Sequence, residues 1–181
     1  PIESGDQEIL KNVIKKPLDL KRTKNLFKRC RDIGLDYGTF LVVGMPGEKI
    51  EDIWTSFNFC AEVGSYSPHV SVATPYPGTE LYEQCKENDY FSRDYALDGL
   101  FISSFMLKTP DWSEADLRKV LLQGKLYLKF RQVMDRPSDA WHLVKKVVSQ
   151  PRIIFSYLKR ILKSGSVWRN PASSPQGSLK N

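Results

Sequence analysis

Three short segments of the sequence combine glycine with polar side chains that could bind a small ligand. They are Glu3-Ser4-Gly5, Gly44-Met45-Pro46-Gly47-Glu48 and Thr74-Pro75-Tyr76-Pro77-Gly78-Thr79. Glycine allows positive φ and a close approach of the backbone to a ligand, while a carboxylate or hydroxyl can hold ribose hydroxyls or an amino group. Each segment also has a structural interpretation, because Ser4 with Asp6 could form a turn or helix cap and Thr79 could cap a helix.

The elements around these segments alternate between helix and strand. Helical spacing of apolar residues predicts helices over 19–33 and 50–61 and a short helix through Leu81 and Cys85, while apolar runs predict strands over 37–43 and 69–74. The unbroken run Phe40-Leu41-Val42-Val43 predicts a strand buried on both faces. This order favours an α/β fold, with parallel strands and crossover helices in an open sheet or a barrel. Ligands bind such folds at the carboxyl ends of the strands, where all three segments are predicted to lie.

Several other classes of site have no support in the sequence. The loop over 44–48 lacks the Lys-Ser/Thr pair of a P-loop and the three-glycine spacing of a dinucleotide site. His69 and His142 are far apart and no cluster has metal-ligand spacing, so we predict no metal bound by this chain. The three cysteines are widely spaced, and two fall on predicted apolar helix faces, which favours a reducing, cytoplasmic setting. No signal peptide or membrane-spanning run is apparent.

The sequence changes character after Asn88. Residues 89–110 are aromatic and irregular, and Ser113 with Asp116 predicts a capped helix that runs to about Phe130, before Pro137. Two basic helical stretches follow over 138–149 and 151–163, and residues 164–181 have the composition of a disordered tail. We therefore predict three parts: residues 1–90, a mostly helical extension over 91–163, and the tail over 164–181. Residues 1–110 hold 13 basic and 16 acidic side chains, whereas residues 111–181 hold 14 and 5.

The basic stretch over 138–163 has two interpretations. Its apolar stripes could pack on the rest of the protein with the lysines and arginines solvated, or they could lie on an anionic membrane surface. In the second case the protein would be cytoplasmic but peripheral to the membrane. Nucleic acid is a less favoured partner, because the aromatic residues share a face with the aliphatic ones and leave no stacking platform.

In order and spacing, the three segments resemble the fourth, fifth and sixth strand loops of radical S-adenosylmethionine (SAM) enzymes. The resemblance rests on Glu3-Ser4-Gly5-Asp6-Gln7-Glu8-Ile9-Leu10, on Val43-Gly44-Met45-Pro46-Gly47-Glu48 with Glu51-Asp52, and on Thr74-Pro75-Tyr76-Pro77-Gly78-Thr79-Glu80-Leu81-Tyr82. It covers residues 1 to about 90 and is greatest for the subgroup with a cobalamin-binding domain, which contains the anaerobic magnesium-protoporphyrin ester cyclases. The implied fold is the second half of a partial (β/α)6 TIM-type barrel followed by a helical C-terminal extension.

The resemblance also implies cofactors and roles for individual residues. Such enzymes bind a 4Fe–4S cluster through a Cys-x3-Cys-x2-Cys loop and cleave SAM to a 5′-deoxyadenosyl radical, with electrons from a donor such as flavodoxin or ferredoxin. Glu3 and Ser4 would contact the ribose or methionine part of SAM, and Val43 and Gly44 would pack beside the adenine. The adenine would also be lined by the sixth-strand segment, residues Thr74, Pro75 and Tyr76.

Pro1 stands where the family usually has glycine, and the cysteine loop is absent from this sequence. We expect the cysteines in an upstream half of the same polypeptide, so this chain alone should be inactive.

Three functions remain open at this point. The first is a radical SAM enzyme, cobalamin-dependent, that performs methyl transfer or cyclisation on a small hydrophobic or aromatic metabolite. The second is a half-barrel without a cluster that serves as a binding or interaction module. The third is a tRNA methylthiotransferase, ranked lower because those enzymes end in a β-rich RNA-binding domain and this chain ends in predicted helices.

Overall fold

A computed structural model describes residues 1–92 and 105–137 of the chain. The centre of the fold is a pair of parallel strands. Strand β1 (Phe40–Val43) pairs with strand β2 (His69–Val72), with Phe40 opposite His69 and Val43 opposite Val72. The parallel direction and both strand positions were predicted, although each strand is shorter than expected. The sheet has two strands in the described part of the chain, and this α/β arrangement does not by itself confirm a partial barrel.

A third strand is reduced to a single bridge beside β1. Glu3 N donates to Phe40 O at 3.0 Å and Val42 N donates to Glu3 O at 2.8 Å, which forms a parallel bridge between Glu3 and Leu41. Glu3 has φ of 68°, in the left-handed region, so the extended backbone cannot continue and the ladder stops there. The predicted parallel direction therefore extends to this bridge, which adds no third strand to the described part of the sheet.

The strands are buried on one face rather than on both. Leu41 and Val43 are 1% and 0% exposed and join the core that contains Ile53 and Phe57, whereas Phe40 is 51% exposed. Successive side chains of a strand point to opposite faces, so a core on one side leaves Phe40 uncovered. The prediction of burial on both faces was wrong for the described residues.

Three helices follow the strands and loops as the local signals predict. Helix α1 (Leu20–Asp32) begins where Asp19 Oδ1 accepts from Arg22 N at 3.0 Å and ends before Gly34 at φ of 70°. Helix α2 (Ile50–Glu62) begins where Asp52 Oδ2 accepts from Lys49 N at 2.8 Å. Helix α3 (Glu80–Glu87) begins at the side chain of Thr79. Sequence reasoning missed the π-helical turn Ile9–Val13 that precedes α1.

The two longer helices near the sheet differ in how much of their surface is buried. Six residues of α2 are buried, but Leu20 alone is buried on α1. Leu26 and Ile33, which belong to the predicted apolar stripe of α1, are 58% and 77% exposed. The stripe is therefore covered in part: Leu20 is buried and Phe27 packs against the core, whereas Leu26 and Ile33 are exposed.

Helix α4 (Glu114–Asp135) packs against α2. Its start is a capping box in which Ser113 N donates to Asp116 Oδ2 at 2.9 Å and Asp116 N donates to Ser113 Oγ at 3.3 Å, as predicted. It extends five residues beyond the predicted end at Phe130. The helices approach closely at Gly124, where a Cβ would lie 2.2 Å from Phe57 Cε2. A larger residue at position 124 would force the helices apart.

Residues Pro1–Asp135 form one compact unit, and a second unit covers Arg136–Asn181. The second unit lies almost wholly outside the described residues, and so do the predicted basic helices over 138–163 and the predicted tail over 164–181. The predicted division at residue 90 stays a prediction. Residues 89–110 were expected to be irregular, and their described parts contain an antiparallel bridge between Phe91 and Leu107.

Candidate ligand site at the strand ends

The three polar segments lie side by side at the carboxyl end of β1. Glu3 is joined to β1 by its bridge, Gly44 directly follows Val43, and Ala73 N donates to Val43 O at 2.8 Å on the other side. Because both neighbours run parallel to β1, their polar residues emerge at the same edge of the sheet. The sequence predicted that the three segments share this edge, and ligand binding by Glu3, Gly44 and Thr74 stays a prediction.

The loop between β1 and α2 is largely enclosed, since Gly44, Pro46 and Glu48 are buried and Gly47 is exposed. Gly44 and Gly47 adopt φ of 80° and 89°, a conformation in which glycine avoids the strain of a side chain. Val43, predicted to lie beside adenine, has its side chain in the core. Any contact that this residue makes with a ligand would therefore come from the backbone near Gly44.

The carboxylate of Glu48 organises this loop from the inside. Glu48 is 0% exposed, and its Oε2 accepts from Gly44 N at 2.6 Å and Met45 N at 3.3 Å. Within the described residues, its Oε1 is buried without a hydrogen-bond partner. Sequence analysis noted Glu48 only as part of the loop. The available signal was a glutamate one residue after a loop glycine, at a helix start where backbone N–H groups lack partners.

Burial raises the pKa of Glu48 to about 8 from an ordinary value of 4.5. Desolvation is the largest cause, the two backbone N–H groups act in the opposite direction, and the charges of Asp52 and Asp6 add a smaller increase. A carboxyl group out of water loses hydration that two hydrogen bonds to one oxygen do not replace. Glu48 is therefore mostly neutral at pH 7 in the folded chain.

Glu3 presents a charge at the site, paired with a lysine that sequence reasoning did not single out. Glu3 Oε1 lies 3.2 Å from Lys16 Nζ, and the two side chains are 24% and 28% exposed. Lys16 also donates to Pro1 O at 2.7 Å. The edge of the sheet thus carries adjacent negative and positive groups that are partly withdrawn from water.

Ser4 lies within the turn that follows Glu3. Its hydroxyl is within 3.1 Å of Ser56 Oγ on α2 and accepts from Asp6 N at 3.1 Å, and the residue is 0% exposed. Asp6 Oδ1 accepts from Glu8 N at 2.8 Å and Ile9 N at 3.2 Å. These contacts match the turn-and-cap interpretation of Ser4 and Asp6, and a ligand contact by Ser4 stays a prediction.

The segment after β2 is more open. Thr74 Oγ1 donates to Val72 O at 3.2 Å, Pro75 is buried, and Tyr76 is 48% exposed. Thr79 Oγ1 accepts from Tyr82 N at 3.2 Å and donates to Tyr76 O at 2.6 Å, which is the predicted cap of α3. Of the three residues predicted to line adenine, Tyr76 offers the most accessible surface.

The described residues do not supply ligands for an iron–sulfur cluster. Within residues 1–92 and 105–137, no group of three His, Cys, Asp or Glu side chains could hold a metal ion. Cys60 and Cys85 are buried, and burial raises the pKa of each thiol to about 11, so both thiols are neutral.

No helix within the described ranges has the length and apolar character needed to cross a membrane.

Comparison with known proteins places these features in a wider context. No protein-family model matches the chain. It is 31% identical over 151 residues to the cytidylyl-2-hydroxyethylphosphonate methyltransferase of Streptomyces wedmorensis, a match covering 78% of this chain and 28% of that protein. Because the match is longer than residues 1–90, it extends into the sequence that follows them.

Two further relatives are named tRNA-2-methylthio-N(6)-dimethylallyladenosine synthase. The protein of Chloroflexus aurantiacus is 33% identical over 88 residues, which cover 46% of this chain and 18% of the relative. The protein of Deinococcus radiodurans is 25% identical over 134 residues, which cover 68% and 25%. These similarities support the radical SAM superfamily. They do not single out the cobalamin-dependent subgroup, and the chain spans between 18% and 28% of the length of these three relatives.

Proposed function

We propose that this chain forms the later half of the SAM-binding barrel of a radical SAM enzyme that uses cobalamin and performs methyl transfer or cyclisation on a small hydrophobic or aromatic metabolite. The observation that carries the proposal is the meeting of Glu3, Gly44 and Thr74 at one edge of a parallel sheet. The relative from Streptomyces wedmorensis supports methyl transfer, because its name describes a methyltransferase and its match covers 78% of this chain.

The chemistry of this edge fits SAM, which has a zwitterionic amino-acid end and a flat nucleoside. The paired charges of Glu3 and Lys16 would hold the ammonium and carboxylate groups, or Glu3 would accept hydrogen bonds from the ribose. The adenine edge would lie beside the loop over 44–48, in which Gly47 is exposed, and the exposed ring of Tyr76 would stack on the adenine face. When bound, SAM and the cluster supply one-electron chemistry; the cluster itself would be held by cysteines upstream of Pro1.

A binding experiment on the full-length protein with its cluster tests the role of Glu3. A buried hydrogen bond to a charged group contributes about 1.5–3 kcal/mol, so Glu3→Ala should weaken SAM binding by about ten- to a hundredfold. The matched control is Glu80→Ala, because Glu80 also pairs with a lysine, Lys15, but is 79% exposed. We expect calorimetry to show weaker binding for Glu3→Ala alone, with cluster absorbance unchanged. Equal SAM affinity in wild type and Glu3→Ala would contradict the proposal.

A second candidate function is tRNA methylthiotransfer, favoured by the similarity to the two tRNA-modifying synthases. The two functions differ in where the label from methyl-labelled SAM accumulates. The full-length enzyme is incubated with tRNA carrying N6-dimethylallyladenosine, and the tRNA is digested to nucleosides. A labelled methylthio nucleoside would replace our proposal with the tRNA function.

A binding module without a cluster is the remaining alternative. The enzyme and the binding module predict different sequences upstream of Pro1 in the gene. A Cys-x3-Cys-x2-Cys loop there supports the enzyme, whereas its absence supports the module.

A further inference from the structure

Helix α4 and the residue before its capping box contact the ligand loop directly, although they lie more than 60 residues away in sequence. Trp112 Nε1 donates to Glu48 O at 2.9 Å, and Trp112 is 3% exposed. Leu117, on the first turns of α4, is 1% exposed and lies so close to the loop that a Cβ on Gly44 would be 2.9 Å from its Cδ1. The loop is therefore bounded by the segment over 112–117.

Glu48 makes contacts both within the loop and with Trp112 outside it. Its side chain accepts from the amides of Gly44 and Met45, while its main-chain carbonyl accepts from Trp112. A change at Trp112 would thus reach the backbone of Gly44 through a single residue. Buried groups of this kind have one low-energy arrangement, because a lost partner leaves a polar atom unsatisfied.

The position of Trp112 is in turn determined by the turn that precedes α4. Thr109 N donates to Trp112 O at 3.0 Å and Trp112 N donates to Thr109 Oγ1 at 3.3 Å, which closes the turn before α4. Farther along, Tyr127 of α4 packs edge-on against Trp54 of α2, with ring centroids 5.8 Å apart. Trp112 therefore stands directly before a helix whose contact with α2 at Trp54 is separate from the hydrogen bonds that hold Trp112.

We infer that Trp112 is a positioning residue of the ligand site and that α4 holds the loop over 44–48 in its ligand-binding shape. This inference rests on the proposed function, since it assigns the segment over 112–117 to the SAM site. The helical region after the sheet then contributes to cofactor binding without touching the cofactor.

The test compares Trp112→Phe with Trp54→Phe in the full-length protein with its cluster. Trp112→Phe keeps an aromatic ring in the core and removes the donor to Glu48 O. Trp54→Phe makes the same chemical change at the contact between α2 and α4, away from the loop. Two quantities are measured for each variant: SAM affinity by calorimetry, and amide hydrogen exchange at Gly44 and Met45 without SAM.

We expect Trp112→Phe to weaken SAM binding about fivefold, which is the loss of a neutral hydrogen bond of about 1 kcal/mol, and to speed exchange at both amides by a similar factor. The KM for SAM should rise while kcat at saturating SAM is retained. Trp54→Phe should leave affinity and exchange unchanged even where it lowers the melting temperature. Weaker binding in proportion to lost stability in both variants would overturn the inference, as would unchanged affinity or exchange in Trp112→Phe.

Failure of the proposed function gives a different result. If the protein is not a SAM enzyme, the wild-type protein does not bind SAM at all, whereas the tRNA function would leave SAM binding intact and change the labelled product. Exchange at Gly44 and Met45 then decides by itself whether Trp112 determines the shape of the loop, and equal exchange in wild type and Trp112→Phe would overturn that role.

Discussion

The loops that follow β1 and β2 leave parallel neighbouring strands at the same edge, yet they are held in different ways. The first, over 44–48, is enclosed by the buried carboxylate of Glu48 and by residues of the segment over 112–117. The second, over 74–79, is closed by contacts within itself and with the start of α3, and Tyr76 on it is 48% exposed. Both contain a glycine near φ of 80°, Gly44 and Gly78.

This difference shows that local chemistry determines the shape of a turn but not how firmly the turn is held. The enclosed loop is ordered before a ligand arrives, so binding there costs little conformational entropy. The open loop keeps an aromatic side chain free to adjust to a ligand. A ligand site formed by both loops would offer the cofactor one rigid surface and one adaptable surface.

The largest expected effect is a dependence of stability on pH, which distinguishes the first loop from the second. Burial raises the pKa of Glu48 to about 8, so between 4.5 and 8 the folded chain retains a proton that the unfolded chain releases. Stability from this group is present below pH 4.5 and is lost as the pH rises through 8, by about 1.4 kcal/mol per pH unit. The Glu48→Gln variant lacks this titration, so its unfolding free energy relative to wild type should increase on the order of 3 kcal/mol from pH 5 to pH 8.

Urea unfolding of the chain at several pH values measures this difference. Glu80→Gln, on the exposed start of α3, is the control and should follow the wild-type pH dependence. Parallel curves for Glu48→Gln and wild type would show that Glu48 is ionised in the folded chain and that the enclosed loop tolerates its charge.

The next effect compares alanine at Gly44 and at Gly78. Both residues have φ near 80°, so each substitution should cost about 1–2 kcal/mol for the left-handed backbone. A Cβ on Gly44 would also lie 2.9 Å from Leu117 Cδ1, whereas nothing lies within 4 Å of one on Gly78. Displacing a buried leucine adds about 1 kcal/mol or more, so Gly44→Ala should be the more destabilising. Equal losses in urea unfolding would mean that Leu117 does not confine the loop.

The smallest effect concerns the cap of the open loop. Thr79→Ala removes the oxygen that accepts from Tyr82 N and should cost about 1 kcal/mol of stability. Thr79→Ser keeps that oxygen and should lose much less. Amide exchange at Gly44 and Met45 should be the same in both variants and wild type. Faster exchange there in Thr79→Ala would show that the two loops are coupled rather than independent.

Local signals predicted much of the fold, because they act between residues near each other in the chain. The caps of α3 and α4 were predicted from Thr79 and from the pair Ser113 and Asp116, since each side chain bonds a backbone amide within three residues. The cap of α1 by Asp19 follows the same rule but was not predicted. The apolar runs, the glycine stops and the order of elements indicated parallel strands. The same order brought the three candidate segments to one edge of the sheet.

Long-range packing decided what those signals could not. Ser4 turned toward Ser56, Glu48 became a buried neutral carboxyl, and Trp112 met Glu48, through contacts that span 52 and 64 residues of sequence. Long-range packing also determined which apolar faces were buried, as the exposure of Phe40 and Ile33 shows. A sequence pattern specifies that a face is apolar, but burial, and with it the pKa of a carboxyl group, depends on which distant elements pack there.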